Sequence, residues 1–176
     1  MCWRLLILLG FTLTSVTRTP AEQAPAVGCS DPAYHKLDFW VGDWNVYVAG
    51  KLDGTDLVEK ILKHCAIVEN WRESDGSGEG KSLFYYVSAA KLWKQVWVTD
   101  AGPLKEKQLV AAYPDGGVRF QGAIAHADGT SHLDRTTLTP LPGGNVRQVI
   151  EISRDSGKTW QVTYDAEYKP ASRDKR

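Results

Sequence analysis

The sequence predicts an all-β fold, an antiparallel up-and-down β-barrel of about nine or ten strands with a short helix before the first strand. From residue 44 to residue 168, short segments alternate apolar and polar side chains, and none of them forms a convincing long helix. Turn signals rich in glycine, proline and aspartate separate these segments at intervals of roughly eight to fourteen residues. A meander of this length avoids exposed strand edges best by closing on itself, which favours a barrel.

The first elements are a helical turn and an aromatic entrance to strand one. Asp31 suits the N-cap of a helix and Pro32 suits its first position, so we expect a short helix that plugs one end of the barrel. Residues 39–44 contain one phenylalanine and two tryptophans, and residues 44–48 alternate in the manner of a strand with one buried face.

The next segments predict further strands. Residues 55–63 are compatible with an amphipathic helix, but their length is marginal for a helix and we favour a strand. Residues 81–87 and 92–98 predict a hairpin across residues 88–91, and Trp93, Gln95 and Trp97 share one face of its second strand. The remaining predicted strands are residues 65–71, 108–113, 118–125, 132–139, 146–152 and 160–168.

Composition limits the classes of partner. The chain has 176 residues, of which 43% are hydrophobic, and its seven tryptophans allow a substantial core. Lysine plus arginine equals aspartate plus glutamate, at 21 each, and the two signs are interspersed. Because no basic stripe is present, we predict no nucleic-acid partner.

The start of the chain predicts export. Arg4 precedes an apolar run over residues 5–13, which is too short to span a membrane and is typical of a secretory signal. We therefore divide the chain into a signal peptide and leader (residues 1–26, cleavage site uncertain), a barrel domain (residues 27–170) and a flexible tail (residues 171–176). The expected location is periplasmic or extracellular, with no transmembrane span in the mature chain. A form lipid-anchored at Cys29 is a minor alternative.

Cysteine usage fits this compartment. Cys2 lies in the predicted signal, which leaves Cys29 and Cys65 to pair in an oxidising environment. No CxxC motif or paired histidine spacing is present, so we predict no metal site.

Gly42, Asp43 and Trp44, at the start of the first predicted strand, resemble the G-x-W element of lipocalins and of the wider calycin superfamily. The resemblance implies that Trp44 packs across the closed end of the barrel beneath a basic side chain from a late strand, for which Arg147 is the best-placed counterpart. A fuller pattern over residues 29–168 resembles exported bacterial proteins of the DUF1579 family. That resemblance implies a lipocalin-like barrel and export, but no activity.

The calycin group also includes haem proteins of the nitrobindin type, which bind iron through a histidine on a late strand. This chain has no histidine after His132, so we predict neither haem nor another cofactor.

Residues 153–160 match the S-x-D-x-G-x-T-W pattern of the Asp-box. Asp155 is expected to bind turn amides, Gly157 to supply a positive φ and Trp160 to pack on the next strand. The pattern indicates a local structure and says little about activity.

Ionisable residues suggest weak catalytic candidates. Glu69 shares a strand face with Trp71, where a carboxyl against an aromatic wall can have a raised pKa, although we favour an outer position paired with a cation. Asp134 is the second acid or base candidate. His126 and His132 flank one turn and can hold a metal with a nearby aspartate, but solvated turn residues are commoner.

The leading hypothesis is that the barrel binds a small, largely apolar or aromatic molecule without catalysis. The candidate ligand-binding residues are Trp71, Phe84, Tyr86, Trp93, Gln95, Trp97, Tyr113, Phe120, Arg119 and Arg135. One alternative is an isomerase, cyclase or hydrolase with a pocket carboxylate, and another is a filled barrel that acts as a protein-interaction module. The sequence does not determine the oligomeric state.

Overall fold

The computed structural model describes residues 29–102 and 104–171. The predicted signal peptide and leader, residues 1–26, lie outside the described residues, as does the predicted tail apart from Ala171.

Ten antiparallel strands form a closed barrel in which each strand pairs with the next along the chain. The predicted all-β, up-and-down barrel is therefore confirmed. The strands are β1 (Gly42–Val48), β2 (Lys51–Ile61), β3 (Ala66–Glu73), β4 (Glu79–Val87), β5 (Leu92–Thr99), β6 (Leu104–Ala112), β7 (Val118–Ala125), β8 (Ser131–Pro140), β9 (Val146–Ser153) and β10 (Gln161–Pro170).

The barrel closes between its first and last strands. Trp44 of β1 lies opposite Pro170 of β10, and Val48 lies opposite Ala166. Closure pairs both terminal strands, so neither presents an open edge to a second chain. The segment that was compatible with either helix or strand lies in β2 and is a strand.

The chain before β1 forms two short 3₁₀ turns, Pro32–His35 and Asp38–Trp40. Asp31 caps the first turn, because its Oδ1 accepts a hydrogen bond from the amide of Ala33 at 2.8 Å. Leu37 and Trp40 are fully buried in the barrel. Residues 29–41, which are called the leader from here on, close the end of the barrel at which β1 begins. Among residues 29–102 and 104–171, no helix has the length and apolar character that crossing a membrane requires.

The closed end is packed with apolar side chains. The buried cluster comprises Leu37, Trp40, Trp44, Val46, Val58, Ile67, Phe84, Trp93, Val118, Phe120, Leu138, Val146, Ala166 and Tyr168. The indole of Trp93 donates a hydrogen bond to the backbone oxygen of Ala33 at 2.8 Å, which fastens the leader to β5.

Trp44 is covered by aromatic side chains. Its ring stacks on Trp40 at a centroid distance of 6.2 Å and meets the edge of Tyr168 at 6.5 Å. Arg147, for which the resemblance implies contact with Trp44, lies instead on the outer surface, where its Nη2 is 2.6 Å from Oδ2 of Asp165. Trp40 and Tyr168 therefore occupy the place expected for the basic side chain.

A disulfide ties the leader to the closed end. The sulfur atoms of Cys29 and Cys65 are 2.10 Å apart, which supports the predicted pairing. Cys65 lies in the connection between β2 and β3, on the same side of the barrel as the leader. The link thus holds the leader against the apolar core that it covers.

Candidate functional site

The half of the barrel away from the leader contains a cavity of about 390 Å³. The wall of the cavity is formed by side chains from the strands that are joined by the β1–β2, β3–β4, β5–β6 and β9–β10 connections. The lining residues are Asp53, Glu69, Trp71, Glu73, Gln95, Trp97, Lys105, Lys107, Thr136, Gln148, Ile150, Thr163, Tyr164 and Tyr168. The barrel is therefore filled in one half and open in the other.

Two tryptophans form one wall of the cavity because glycines make room for them. A Cβ at Gly54 would lie 2.5 Å from Cη2 of Trp71, and a Cβ at Gly80 would lie 2.5 Å from Cη2 of Trp97. Each indole therefore lies against the backbone of the neighbouring strand, in space that any other residue would fill. This arrangement holds the rings to the wall and leaves the cavity open.

A pair of carboxyl groups lies beneath this wall. Asp56 of β2 is 1% exposed and Glu69 of β3 is 4% exposed. Asp56 lies opposite Trp71 and Val58 lies opposite Glu69, so the two acids are diagonal neighbours on the inner face. Glu69 was expected on the outer face with a cation, but the structure places it inside the barrel, facing the cavity.

The two carboxyls hold a proton at neutral pH. Both Asp56 oxygens and Oε2 of Glu69 are buried without a hydrogen-bond donor among the described residues. The two groups lie within hydrogen-bonding reach of each other, and two ionised carboxylates cannot supply the donor. Burial, followed by the charge of Glu69, raises the pKa of Asp56 to about 10. Burial also raises the pKa of Glu69, against the opposing effects of Ser82 and Asp56.

Polar side chains continue from this pair across the cavity floor. Ser82 hydrogen bonds to Glu69. Gln95 donates from Nε2 to the hydroxyl of Ser82 at 3.0 Å, and its Oε1 is buried without a donor among the described residues. Tyr168 donates its hydroxyl to Oε1 of Gln148 at 3.0 Å on the far side. The floor therefore contains a buried acceptor, Oε1 of Gln95, that has no donor among the described residues.

The opposite wall contains two lysines that share one aspartate. Nζ of Lys105 donates to Oδ2 of Asp134 at 2.8 Å, and Nζ of Lys107 lies 2.5 Å from Oδ1. Lys107 also donates to the hydroxyl of Thr136 at 2.6 Å. Burial acts to raise the pKa of Asp134, but the two lysines outweigh it and the net pKa is lowered. Asp134 is therefore an ionised group that holds both lysines.

Asp134, a predicted acid or base, does not itself line the cavity, because it is fully buried behind the lysines. The pKa of Lys107 is lowered, since burial outweighs the attraction of Asp134.

Three predicted ligand-binding residues line the cavity, namely Trp71, Gln95 and Trp97. Phe84, Trp93 and Phe120 lie in the apolar core of the closed half. Tyr86 packs against the same core, with its ring 5.1 Å from that of Tyr34.

The remaining predicted contacts point away from the cavity. Arg119 lies over the ring of Tyr113 at 5.5 Å. Arg135 donates two hydrogen bonds to Glu151, at 2.7 and 2.8 Å, and stacks over Trp160 at 3.8 Å. These groups brace the outer surface of β7, β8 and β9.

The Asp-box residues form the connection between β9 and β10. Asp155 accepts hydrogen bonds from the amide of Thr159 at 2.9 Å and from its hydroxyl at 2.7 Å. Gly157 has a φ of +88°, and the indole of Trp160 donates to the oxygen of Gly157 at 3.1 Å. The motif builds a compact turn at the open end and contributes no group to the cavity lining.

The histidines lie outside the cavity. His126 and His132 stack at the β7–β8 turn, with Nε2 of the first 2.7 Å from Nδ1 of the second. Within residues 29–102 and 104–171, no group of three or more histidine, cysteine, aspartate or glutamate side chains is placed to hold a metal ion.

Several residues of the site were not predicted, chiefly Asp56, Lys107 and the mouth residues Asp53, Glu73 and Tyr164. One sequence signal was available. Asp56 alternates with Val58 on one face of its strand, and an acid on an apolar face is a candidate for an interior site.

Comparison with known proteins adds no relative: no known family model matches the chain, and no curated protein matches it.

Proposed function

We propose that this barrel binds a small molecule with a flat aromatic or apolar part in its open half. The observation that carries the proposal is the cavity of about 390 Å³ walled by Trp71 and Trp97, with polar groups on its floor. Its volume falls in the usual range for ligand sites, which combine apolar walls with a few convergent polar groups. A filled barrel that acts only through its surface would need no such space.

The polar groups of the cavity lining indicate how polar the ligand should be. The sequence favours a largely apolar molecule, but eleven of the fourteen lining residues are charged or contain an amide or hydroxyl group. Gln95, Gln148 and Glu69 place amide and carboxyl groups in the lining, where they can bind a polar group of a ligand. We therefore propose a ligand that has a flat ring and at least one polar group directed toward the floor.

A second candidate function is acid–base catalysis by Glu69. The observation in its favour is a carboxyl of raised pKa that faces an aromatic-walled cavity. Binding remains the first proposal because the other candidate, Asp134, is enclosed by Lys105 and Lys107. Turnover of a bound compound that Glu69→Gln abolishes without loss of binding would favour the enzyme.

We also propose that the protein is an exported member of the lipocalin-like barrels that its sequence resembles. The Cys29–Cys65 pair supports this location, since disulfides persist mainly in oxidising compartments.

The binding proposal is tested by narrowing the cavity without removing any lining group. In Gly80→Ala, the added Cβ meets the indole of Trp97 at 2.5 Å and pushes the ring into the cavity. We expect the affinity for 1-naphthaleneethanol, measured by isothermal titration calorimetry, to fall by about tenfold or more. Leu83→Ala, which changes an exposed residue of the same strand, is the matched control. Equal affinities in Gly80→Ala, Leu83→Ala and the unmodified protein would place the ligand elsewhere.

Native mass spectrometry of the purified protein provides a direct second test. A co-purifying small molecule that is lost in Gly80→Ala would support the proposal and identify the natural ligand.

A further inference from the structure

The positive and negative side chains that line the cavity differ in their ion-pair partners. Both lysines that line it, Lys105 and Lys107, form ion pairs with the buried carboxylate of Asp134. The carboxyls that line the opposite side, Asp53, Glu69 and Glu73, form no ion pair with a lysine, arginine or histidine of residues 29–102 and 104–171. The two lysines share one carboxylate, which leaves one positive charge over, and Lys107 also attracts Glu69. Three carboxyls of the lining have no ion-pair partner among the described residues, so the lining has an excess of acidic groups.

The three acids lie on adjacent strands. Asp53 belongs to β2, and Glu73 of β3 lies opposite Gly54, the next residue after Asp53. Glu69 is on the same face of β3 as Glu73, deeper in the barrel. The acids thus form a column from the mouth to the floor, which we call the acidic side.

Neutral groups hold part of the acidic side in place. The hydroxyl of Tyr164 donates to Oδ2 of Asp53 at 2.8 Å, and the hydroxyl of Ser77 donates to Oε2 of Glu73. These bonds orient the two carboxylates but supply no positive charge.

A buried pair of carboxyl groups lies at the base of the acidic side. Asp56 and Glu69 lie within hydrogen-bonding reach of each other, and Glu69 is the member of the pair that lines the cavity. Glu69 is buried to more than nine-tenths and has an oxygen without a donor among the described residues. A charge at this depth is costly unless a partner of opposite sign binds to it.

We propose, building on the ligand-binding function proposed above, that the ligand is a small aromatic amine whose ammonium group binds to Asp53, Glu69 and Glu73. Its ring lies against the indoles of Trp71 and Trp97, whose π faces also attract a cation. The ammonium group provides the positive charge that the acidic side lacks, and its hydrogens donate to the carboxylate oxygens.

The lysine side is a poorer anchor for an anionic ligand. An anion there would have to compete with Asp134, which is fully buried and held by Lys105 at 2.8 Å and by Lys107 at 2.5 Å. Such competition would leave Asp134 as an uncompensated buried charge.

Three probes that share one ring system test the charge preference. They are 2-(1-naphthyl)ethylamine, which is a cation at neutral pH, the uncharged 1-naphthaleneethanol and the anionic 1-naphthylacetate. We expect calorimetry at low salt to show that the amine binds about tenfold or more tightly than the alcohol, and that the acid binds most weakly. The advantage of the amine should decrease at high salt, because ions screen the acids at the exposed mouth.

Variants identify the groups that cause the preference. Glu73→Gln and Asp53→Asn should each reduce the affinity for the amine by about threefold to tenfold and leave the affinity for the alcohol nearly unchanged. Glu59→Gln removes the same charge from an exposed position on β2 and should change neither affinity.

The buried pair gives a sharper comparison. Glu69→Gln removes the carboxyl that lines the cavity and should weaken binding of the amine. Asp56→Asn keeps the carboxyl of Glu69 and gives it an amide donor, so binding of the amine should be retained. A purely structural role for the pair would weaken binding of all three probes together in both variants.

The outcomes separate the two proposals. Equal affinity for the amine and the alcohol, or tighter binding of the acid, would overturn the amine inference while the binding function stands. Absence of binding by all three probes would overturn both.

Discussion

Asp56 and Glu69 place two carboxyl groups next to each other inside the barrel. The pKa of Asp56 rises from 3.8 to about 10, first through burial and then through the charge of Glu69. The folded state therefore keeps a proton that the unfolded chain releases. Stability from this proton is fully present below about pH 4 and is lost as pH rises toward 10. The carboxyl pair therefore makes the fold less stable at neutral pH than it would be if the pair made the same contribution as below pH 4.

Asp56→Asn should therefore stabilise the protein at neutral pH. The amide cannot ionise in the unfolded state, and it can donate a hydrogen bond to Glu69. We expect the free energy of unfolding to rise by about 3 kcal/mol near pH 7, with little difference near pH 4. Urea unfolding followed by tryptophan fluorescence measures both values, and Glu59→Gln is the control. A variant that is less stable than the unmodified protein at both pH values would contradict the shared proton.

At the scale of elements, the β9–β10 connection shows how one carboxylate organises a turn. Hydrogen bonds from Thr159 and Ser153 hold the pKa of Asp155 down to about 2. Because this pKa is lowered, the contribution of the carboxylate is present above the ordinary aspartate value and is lost as pH falls through 2. The connection should therefore stay ordered in mild acid.

Asp155→Ala should loosen this turn and leave the rest of the barrel intact. The amide of Thr159 loses its acceptor, so we expect its protection against hydrogen exchange to fall, as measured by NMR. Asp128→Ala is the matched control, since Asp128 accepts from the amide of Thr130 in the β7–β8 turn. That control should affect Thr130 alone. Unchanged protection at Thr159 would show that other contacts hold the β9–β10 connection.

At the scale of the whole molecule, one end of the barrel stabilises the fold and the other contains the cavity. The leader, the apolar core and the Cys29–Cys65 bridge close one end. The charged and aromatic lining lies at the other end, near the β1–β2, β3–β4, β5–β6 and β9–β10 connections. Stability is thus concentrated away from the cavity, which allows the open half to contain groups that destabilise the fold.

Removal of the Cys29–Cys65 disulfide should lower the stability of the fold without changing ligand binding. The cysteines are separated by 36 positions in sequence. Cys29→Ser with Cys65→Ser should lower the free energy of unfolding by about 3–4 kcal/mol through the added freedom of the unfolded chain. The affinity of the folded variant for 1-naphthaleneethanol should remain within about twofold, because the bridge and the cavity lie at opposite ends. An equal loss of stability and binding would show that the two ends are coupled.

Much of the fold was accessible from sequence because local patterns specify it. The period of two, the regular turns and the capped proline of the leader each report a backbone preference within a few residues. Trp71, Gln95 and Trp97 were among the predicted ligand contacts, since alternation identifies which side chains share a face.

The division of the barrel into a filled half and an open half could not be predicted from these local sequence patterns. Phe84 and Trp97 are aromatic residues on neighbouring strands, yet one is in the core and the other lines the cavity. Their heights along the barrel depend on strand register, and register depends on closure through residues far apart in sequence, such as Trp44 and Pro170.

By itself, the sequence determined the all-β class, the number of strands to within one and the cysteine pair. Only the tertiary structure decided that Glu69 lies inside against Asp56, that Asp134 is enclosed by Lys105 and Lys107, and that Arg147 lies outside. The physical reason is that alternation assigns a residue to one of two faces but does not say which neighbour meets it there. The charge of a buried carboxyl depends on that neighbour, and the neighbour is brought to it by the closed barrel.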